Sequence, residues 1–178
     1  MVQNGSPFAE NPVLKAIYGR RSIREYTDEI PPRELVLEIV RAGIWAPSGL
    51  NNQPWRFAIV WNQEVRERLA ELTRYGEIIR RAPVVIAVFL DQKVMYHQIK
   101  DHQSAGACLE NMLLAAHALG LGGVWLGEIL KNGDRVREVL GLPEGLELAA
   151  VVALGYPNDR RKRTGRKPLE SFILKEIH

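Results

Sequence analysis

Residues 84–90 read Val-Val-Ile-Ala-Val-Phe-Leu, an unbroken apolar run that follows Pro83. A strand with one wet face alternates apolar and polar side chains, so a continuous run rich in β-branched residues marks a strand covered on both faces. It is too short to cross a bilayer, which takes roughly 18–20 apolar residues. The chain must therefore place further strands beside this one and pack other elements above and below it. With 178 residues, 46% of them hydrophobic, it has enough material for one such core.

Periodicity supplies the neighbours. Pro12 can open a short helix that stops at Gly19, and Leu35, Val36, Ile39, Val40 and Ile44 form an apolar stripe on a second helix that must end before Pro47. Strands are expected at 56–61, 124–126 and 147–154. Helices are expected at about 63–74, 100–119 and 134–140, with Gly120, Gly122 and Gly123 stopping the longest. The longest carries small residues, Ser104 to Cys108, and little charge beyond Asp101 and Glu110, so it should be covered, by a second subunit if not by its own chain. The alternation of strands and helices implies one α/β unit of two or three layers without an interdomain linker. Residues 1–11 read as a loose leader, and 158–178 as a basic loop and an arm.

Composition excludes several functions. The lone Cys108 forbids an intrachain disulfide or a multi-cysteine metal centre, and in an apolar helix pattern it reads as a buried small hydrophobe. No strand leads into a G-x-G-x-x-G turn, and there is no P-loop and no H-E-x-x-H. No metal site is expected. The polar start and the absence of a spanning segment imply a cytoplasmic protein without a membrane partner. The net charge of +3 is unevenly spread, with Arg20, Arg21 and Arg24 near one end and Arg160 to Lys167 near the other. Nucleic acid is disfavoured, because no aromatic residue interleaves that tail.

Three distant segments carry chemistry. In Arg20-Arg21-Ser22-Ile23-Arg24, alternation places Arg20, Ser22 and Arg24 on one side of an extended segment, two guanidinium forks and a hydroxyl suited to a phosphate dianion, and turns Arg21 away. The loop from Pro47 to Trp55 offers Ser48, Asn51 and Gln53, neutral donors and acceptors that match the edge of a flat heterocycle. The segment from Gly120 to Glu128 is rich in glycine, and there the backbone is the reagent: a peptide N–H is free to approach a ligand.

Together these segments resemble the nitroreductase family of FMN-dependent enzymes, from Pro12 to Phe172. The resemblance implies an α+β fold with a mainly antiparallel central sheet flanked by helices. It also implies an intertwined homodimer with an FMN site at each interface and exchange of C-terminal arms. It assigns phosphate contacts to Arg20, Arg21 and Ser22, in conflict with the alternation at Arg21, and the flavin pyrimidine edge to Arg24. The loop contacts fall on Pro47, Ser48, Asn51 and Gln53, and the contacts along the ring and N5 on Trp125, Leu126, Gly127 and Glu128. Arg166, and beside it Arg163, supply phosphate contacts from the C-terminal side. A departure appears at 75–78, where some family members carry an amide and a lysine and this chain reads Tyr75, Gly76, Glu77 and Ile78.

The activity so implied is ping-pong: NADH or NADPH gives hydride to flavin N5, and a small organic acceptor such as a nitroaromatic or quinone then takes its place. No residue is assigned as catalytic acid or nucleophile. The segment 92–98 is the expected lid, and Tyr96 and His97 are the candidate substrate contacts. The alternative is a specialised member that acts as a dehydrogenase, removes halide or cleaves a flavin, or an FMN-binding protein without turnover.

Overall fold

The computed structural model describes residue 8, residues 10–158 and residues 165–178. Its sheet has strands β1 (Trp55–Val60), β2 (Val84–Asp91), β3 (Gly122–Leu126) and β4 (Leu146–Gly155) in the order β1-β2-β4-β3, and every neighbouring pair is antiparallel. The apolar run is β2, which lies between β1 and β4 and is buried from Val84 to Leu90. Its side chains alternate between two cores: Val85, Ala87 and Phe89 enter one, and Val84, Ile86 and Val88 the other. Each fully buried chain of this size contributes about 1.5–3 kcal/mol, which is why a polar residue is tolerated nowhere along the run.

Helices cover both faces. On one lie α2 (Arg33–Ile44) and α5 (Gln98–Ala118), which contribute Val36, Ile39, Cys108, Leu109 and Met112. On the other lie α3 (Gln63–Ala70), α4 (Gly76–Arg81) and α6 (Gly133–Val139), which contribute Leu69, Ile79 and Val136. Close packing of α2 on α5 depends on Gly43, since a Cβ there would sit 2.7 Å from Met112 Cγ. Burial pushes the Cys108 thiol up to about 12, so it is a packing residue as its apolar setting predicted. A bulge in β4 keeps its layers in phase: Val88 faces Ala150 and Phe89 faces Leu148, so Leu148 and Val151 share a core although they are three positions apart.

Two expectations need correction. The helix expected over 63–74 ends at Ala70, and a separate α4 begins at Gly76, where a Cβ would meet the Ala70 carbonyl at 2.3 Å. Of the three glycines expected to stop α5, only Gly120 does so, with φ 86°; Gly122 and Gly123 are already in β3. The α+β arrangement with an antiparallel central sheet that the resemblance implied is the one observed: β2 and β3 are joined through α5 around a slot that β4 fills in the opposite direction. Among the described residues no helix is long and apolar enough to cross a membrane.

Candidate functional site

The arginine segment is stitched to the outer edge of β3. Ser22 bridges Gly123 in parallel, Ile23 N–H donates to Gly123 O at 3.0 Å, and Thr27 N–H donates to Tyr156 O at 2.9 Å. Tyr26 locks the turn from beneath, its hydroxyl lying 2.7 Å from Ile23 O and 3.1 Å from Ala153 O, one proton shared by two acceptors. Burial raises this phenol far above its ordinary range, so it remains a donor, with Arg24 pulling weakly the other way. Ile23 points inward onto Gly122, where a Cβ would be 2.6 Å from its side chain. Ser22 and Arg24 therefore face out.

Arg20 leaves the same segment and meets Glu110 on α5 through Nε at 3.3 Å, a bond that does not use the two terminal nitrogens of its fork. Arg21 turns back on its own segment: its Nη1 lies 2.6 Å from the carbonyls of both Tyr18 and Arg20, and its Nε is buried without a partner among the described residues. Among the described residues Arg24 Nη1 reaches only its own segment, at Ser22 O.

The amide loop follows α2 and carries a concentration of strain. Leu50, Asn51 and Gln53 have φ of 54°, 54° and 45°, in the left-handed region that costs a non-glycine residue about 1–3 kcal/mol. Compensating bonds hold it: Gln53 N–H donates to Ser48 Oγ at 3.1 Å, and Gln53 Nε2 donates to Asn51 Oδ1 at 3.0 Å. Pro47, Asn51 and Gln53 are exposed and Ser48 is half-buried.

At the end of β3, Trp125 is half-exposed and rests near Gly106 of α5, whereas Leu126 is buried in the core and offers a ligand only its backbone. Nothing lies within 4 Å of the position a Cβ would take on Gly127. The Glu128 carboxylate is turned away from that space. It accepts from Thr73 Oγ1 at 2.6 Å and Arg74 N–H at 3.1 Å, and pairs with Lys131. The Lys131 bond, followed by the Thr73 bond, lowers its pKa to about 2. As an acid Glu128 is thus spoken for; its part in a site is to anchor the 73–75 turn beside Gly127.

Tyr96 lies over the amide loop, so close that a Cβ on Gly49 would fall 2.0 Å from its hydroxyl, and Lys100 Nζ stands 5.5 Å from its ring centre. His97 is exposed next to it, at the N-cap position of α5. Arg166 is exposed, with Nη1 3.2 Å from Gly165 O, and Arg163 falls outside the described residues.

Within one chain these parts do not converge on one spot. The amide loop leads into β1, the arginine segment lines β3, and β2 and β4 stand between. Three strand intervals separate the two edges by roughly 14 Å. Helix α5 spans the gap: Asp101 in its first turn holds the loop through Asn52, and Glu110 holds Arg20 roughly 14 Å further on at ~1.5 Å per residue. Asn52 and Asp101 are the residues that sequence reasoning passed over. Their only signal was an acid in the first turn of a helix otherwise poor in charge, a pattern typical of a cap.

The chain has many relatives. A model of the nitroreductase family matches residues 17–76 and 72–156. A protein of Archaeoglobus fulgidus, named as an NADH dehydrogenase/NAD(P)H nitroreductase, is 40% identical over 152 residues, which is 83% of this chain and 87% of that one. The FMN reductase [NAD(P)H] of Bacillus subtilis is 30% identical over 94% of this chain and 75% of its own. Among solved structures, a protein of Desulfovibrio desulfuricans described as a nitroreductase and crystallised in complex with FMN superposes with a TM-score of 0.90. It is 51% identical, with 95% of this chain and 99% of that chain covered.

Proposed function

The chain belongs to the nitroreductase family, and we propose that it works as a homodimer that holds FMN between subunits and reduces a small organic acceptor, such as a nitroaromatic or quinone, with NADH or NADPH. In this reading residues 1–178 form a single domain whose segment 158–178 crosses to the partner. FMN supplies a ring that takes two electrons as hydride and hands them on one or two at a time.

The observation that carries the dimer is the placement of the two half-sites at opposite edges of one sheet. An isologous pairing brings the loop of one subunit to the β3 edge of the other and makes two equal sites. The exposed apolar residues Leu169, Phe172, Ile173, Leu174 and Ile177 support it, because an arm of this composition gains nothing from water.

The residues fit the cofactor. Ser22 faces out at the β3 edge for a phosphomonoester, and Arg20, half-buried against Glu110 through Nε, has the terminal nitrogens of its fork for the same group, with Arg166 and Arg163 joining from the arm. Arg21, its Nη1 already bonded to carbonyls, contributes through shape and overall charge. Open space over Gly127 leaves the peptides of 127 and 128 clear to meet a ring edge, and a side chain at 127 would fill it. Ser48, Asn51 and Gln53 offer the opposite polar edge, Pro47 and Trp125 border the ring, and Arg24 favours negative charge at the pyrimidine side. Tyr96 and His97 stand on the acceptor side and exclude water there. Nicotinamide and acceptor occupy one shelf in turn, so turnover is ping-pong and orientation is the protein's main contribution.

Absorption and sedimentation test this together. A yellow protein with about one FMN per subunit, sedimenting as a dimer and bleached by NADH or NADPH, is the expected result. A colourless monomer that fails to bind added FMN is the opposite one.

A further inference from the structure

The loop that carries Ser48, Asn51 and Gln53 has three non-glycine residues in the left-handed region, and the bonds within the loop do not anchor it to anything else. Its anchor is Asn52, the neighbour with an ordinary φ of −72°. Asn52 Nδ2 donates to Asp101 Oδ1 at 2.7 Å and to Val94 O at 3.2 Å. Asp101 is fully buried, and its other oxygen accepts the backbone N–H groups of Tyr96 at 3.0 Å and His97 at 2.8 Å. One carboxylate thus ties the strained loop to the start of α5 and to the segment before it. The same two segments touch again where Tyr96 covers Gly49.

The orientation of Asn52 is dictated. An ionised carboxylate only accepts, so the amide must present its nitrogen to Asp101, and Asn52 Oδ1 is left buried without a partner. Rotating the amide would satisfy nothing and set oxygen against oxygen. Burial by itself raises the Asp101 pKa, but the bonds from Asn52, His97 and Tyr96 outweigh it and hold the group below the ordinary carboxylate range, so the clamp stays charged at neutral pH.

We propose that Asp101 is a positioning residue: through Asn52 it locks the 48–53 loop and the 94–97 segment into one rigid unit, so that cofactor edge and acceptor side are set together by a group that touches neither. The naming of what the loop holds rests on the flavin reading above. The mechanical coupling does not.

Two variants, Asn52→Ala and Asp101→Asn, examined by hydrogen–deuterium exchange on the protein without added flavin, test the coupling. Each change lies in one segment, and the expected result is faster exchange, about fivefold or more, in the other as well: in 94–97 for Asn52→Ala and in 48–53 for Asp101→Asn. Exchange that rises only in the segment next to each substitution overturns the proposal. Should Asp101→Asn fail to fold, Asn52→Ala alone still decides between these outcomes. With FMN present, Asn52→Ala is expected to weaken flavin binding about tenfold; unchanged affinity in a variant with altered exchange also overturns the positioning role. A parent protein that binds no FMN sinks the flavin reading alone and leaves the exchange result standing.

Discussion

The two arginine-bearing ends of this chain were expected to do one job, and the fold treats them in opposite ways. Residues 20–26 are bonded to β3 and β4 by backbone and by the Tyr26 hydroxyl, with Ile23 seated on Gly122. Residues 165–178 are exposed throughout, and among the described residues Arg166 bonds only to its neighbour's carbonyl. A ligand that meets the first finds its donors already aimed; one that needs the second must order it on binding or find it ordered by a partner subunit. Positive charge at both ends is the same feature in sequence, but among the described residues only the first end is held by bonds to the sheet.

The comparison can be broken most directly by removing one arginine from each end. In the proposed site, Arg20→Ala would remove charge-assisted phosphate bonds worth roughly 1.5–3 kcal/mol apiece, an expected loss of about ten- to hundredfold in FMN affinity. Arg166→Ala is expected to cost less, because part of its bond energy goes into ordering the arm. Fluorescence titration of both variants checks the order; equal and negligible losses would remove the phosphate assignment altogether.

A smaller effect sharpens the stitching itself. Gly122→Ala puts a methyl group 2.6 Å from Ile23, and overpacking of that kind costs about 1–3 kcal/mol. The lowered melting temperature should come with weaker flavin binding, since the arginine segment must lift from the edge. A variant that loses stability yet binds FMN like the parent would show that the stitching does not aim Arg20 and Ser22.

The smallest effect lies at the far end of β3. Glu128 has a folded pKa of about 2, below its value in an unfolded chain, so its bonds to Lys131, Thr73 and Arg74 stabilise the fold above the unfolded pKa. That contribution fades as pH falls from the mid-4 range through about 2. In Glu128→Gln, denaturation midpoints between those limits should be flatter with pH than in the parent; identical slopes would mean the 73–75 turn is held by other contacts.

Much of this was legible in the residues. The β2 run announced a strand covered on both faces. What escaped were features set by distant neighbours. The break between α3 and α4 depends on how near Gly76 comes to the Ala70 carbonyl, a distance no local pattern encodes. Asn52 looked like its neighbour Asn51, and only its pairing with Asp101, 49 positions away, gives it a different task.

Local chemistry thus determined which segments are strands and helices, which faces are apolar and which short stretches carry charge or amides, because hydrophobic period, glycine freedom and hydrogen-bonding capacity are properties of each residue and its near neighbours. The tertiary structure alone decided that β4 enters between β2 and β3, that the amide loop and the arginine segment stand on opposite edges, and that Glu128 and Asp101 spend their carboxylates on anchoring turns. Strand order and the partner of a buried charge are chosen by the whole molecule at once, as each strand must be covered and each buried donor or acceptor matched across distances that sequence spacing does not record.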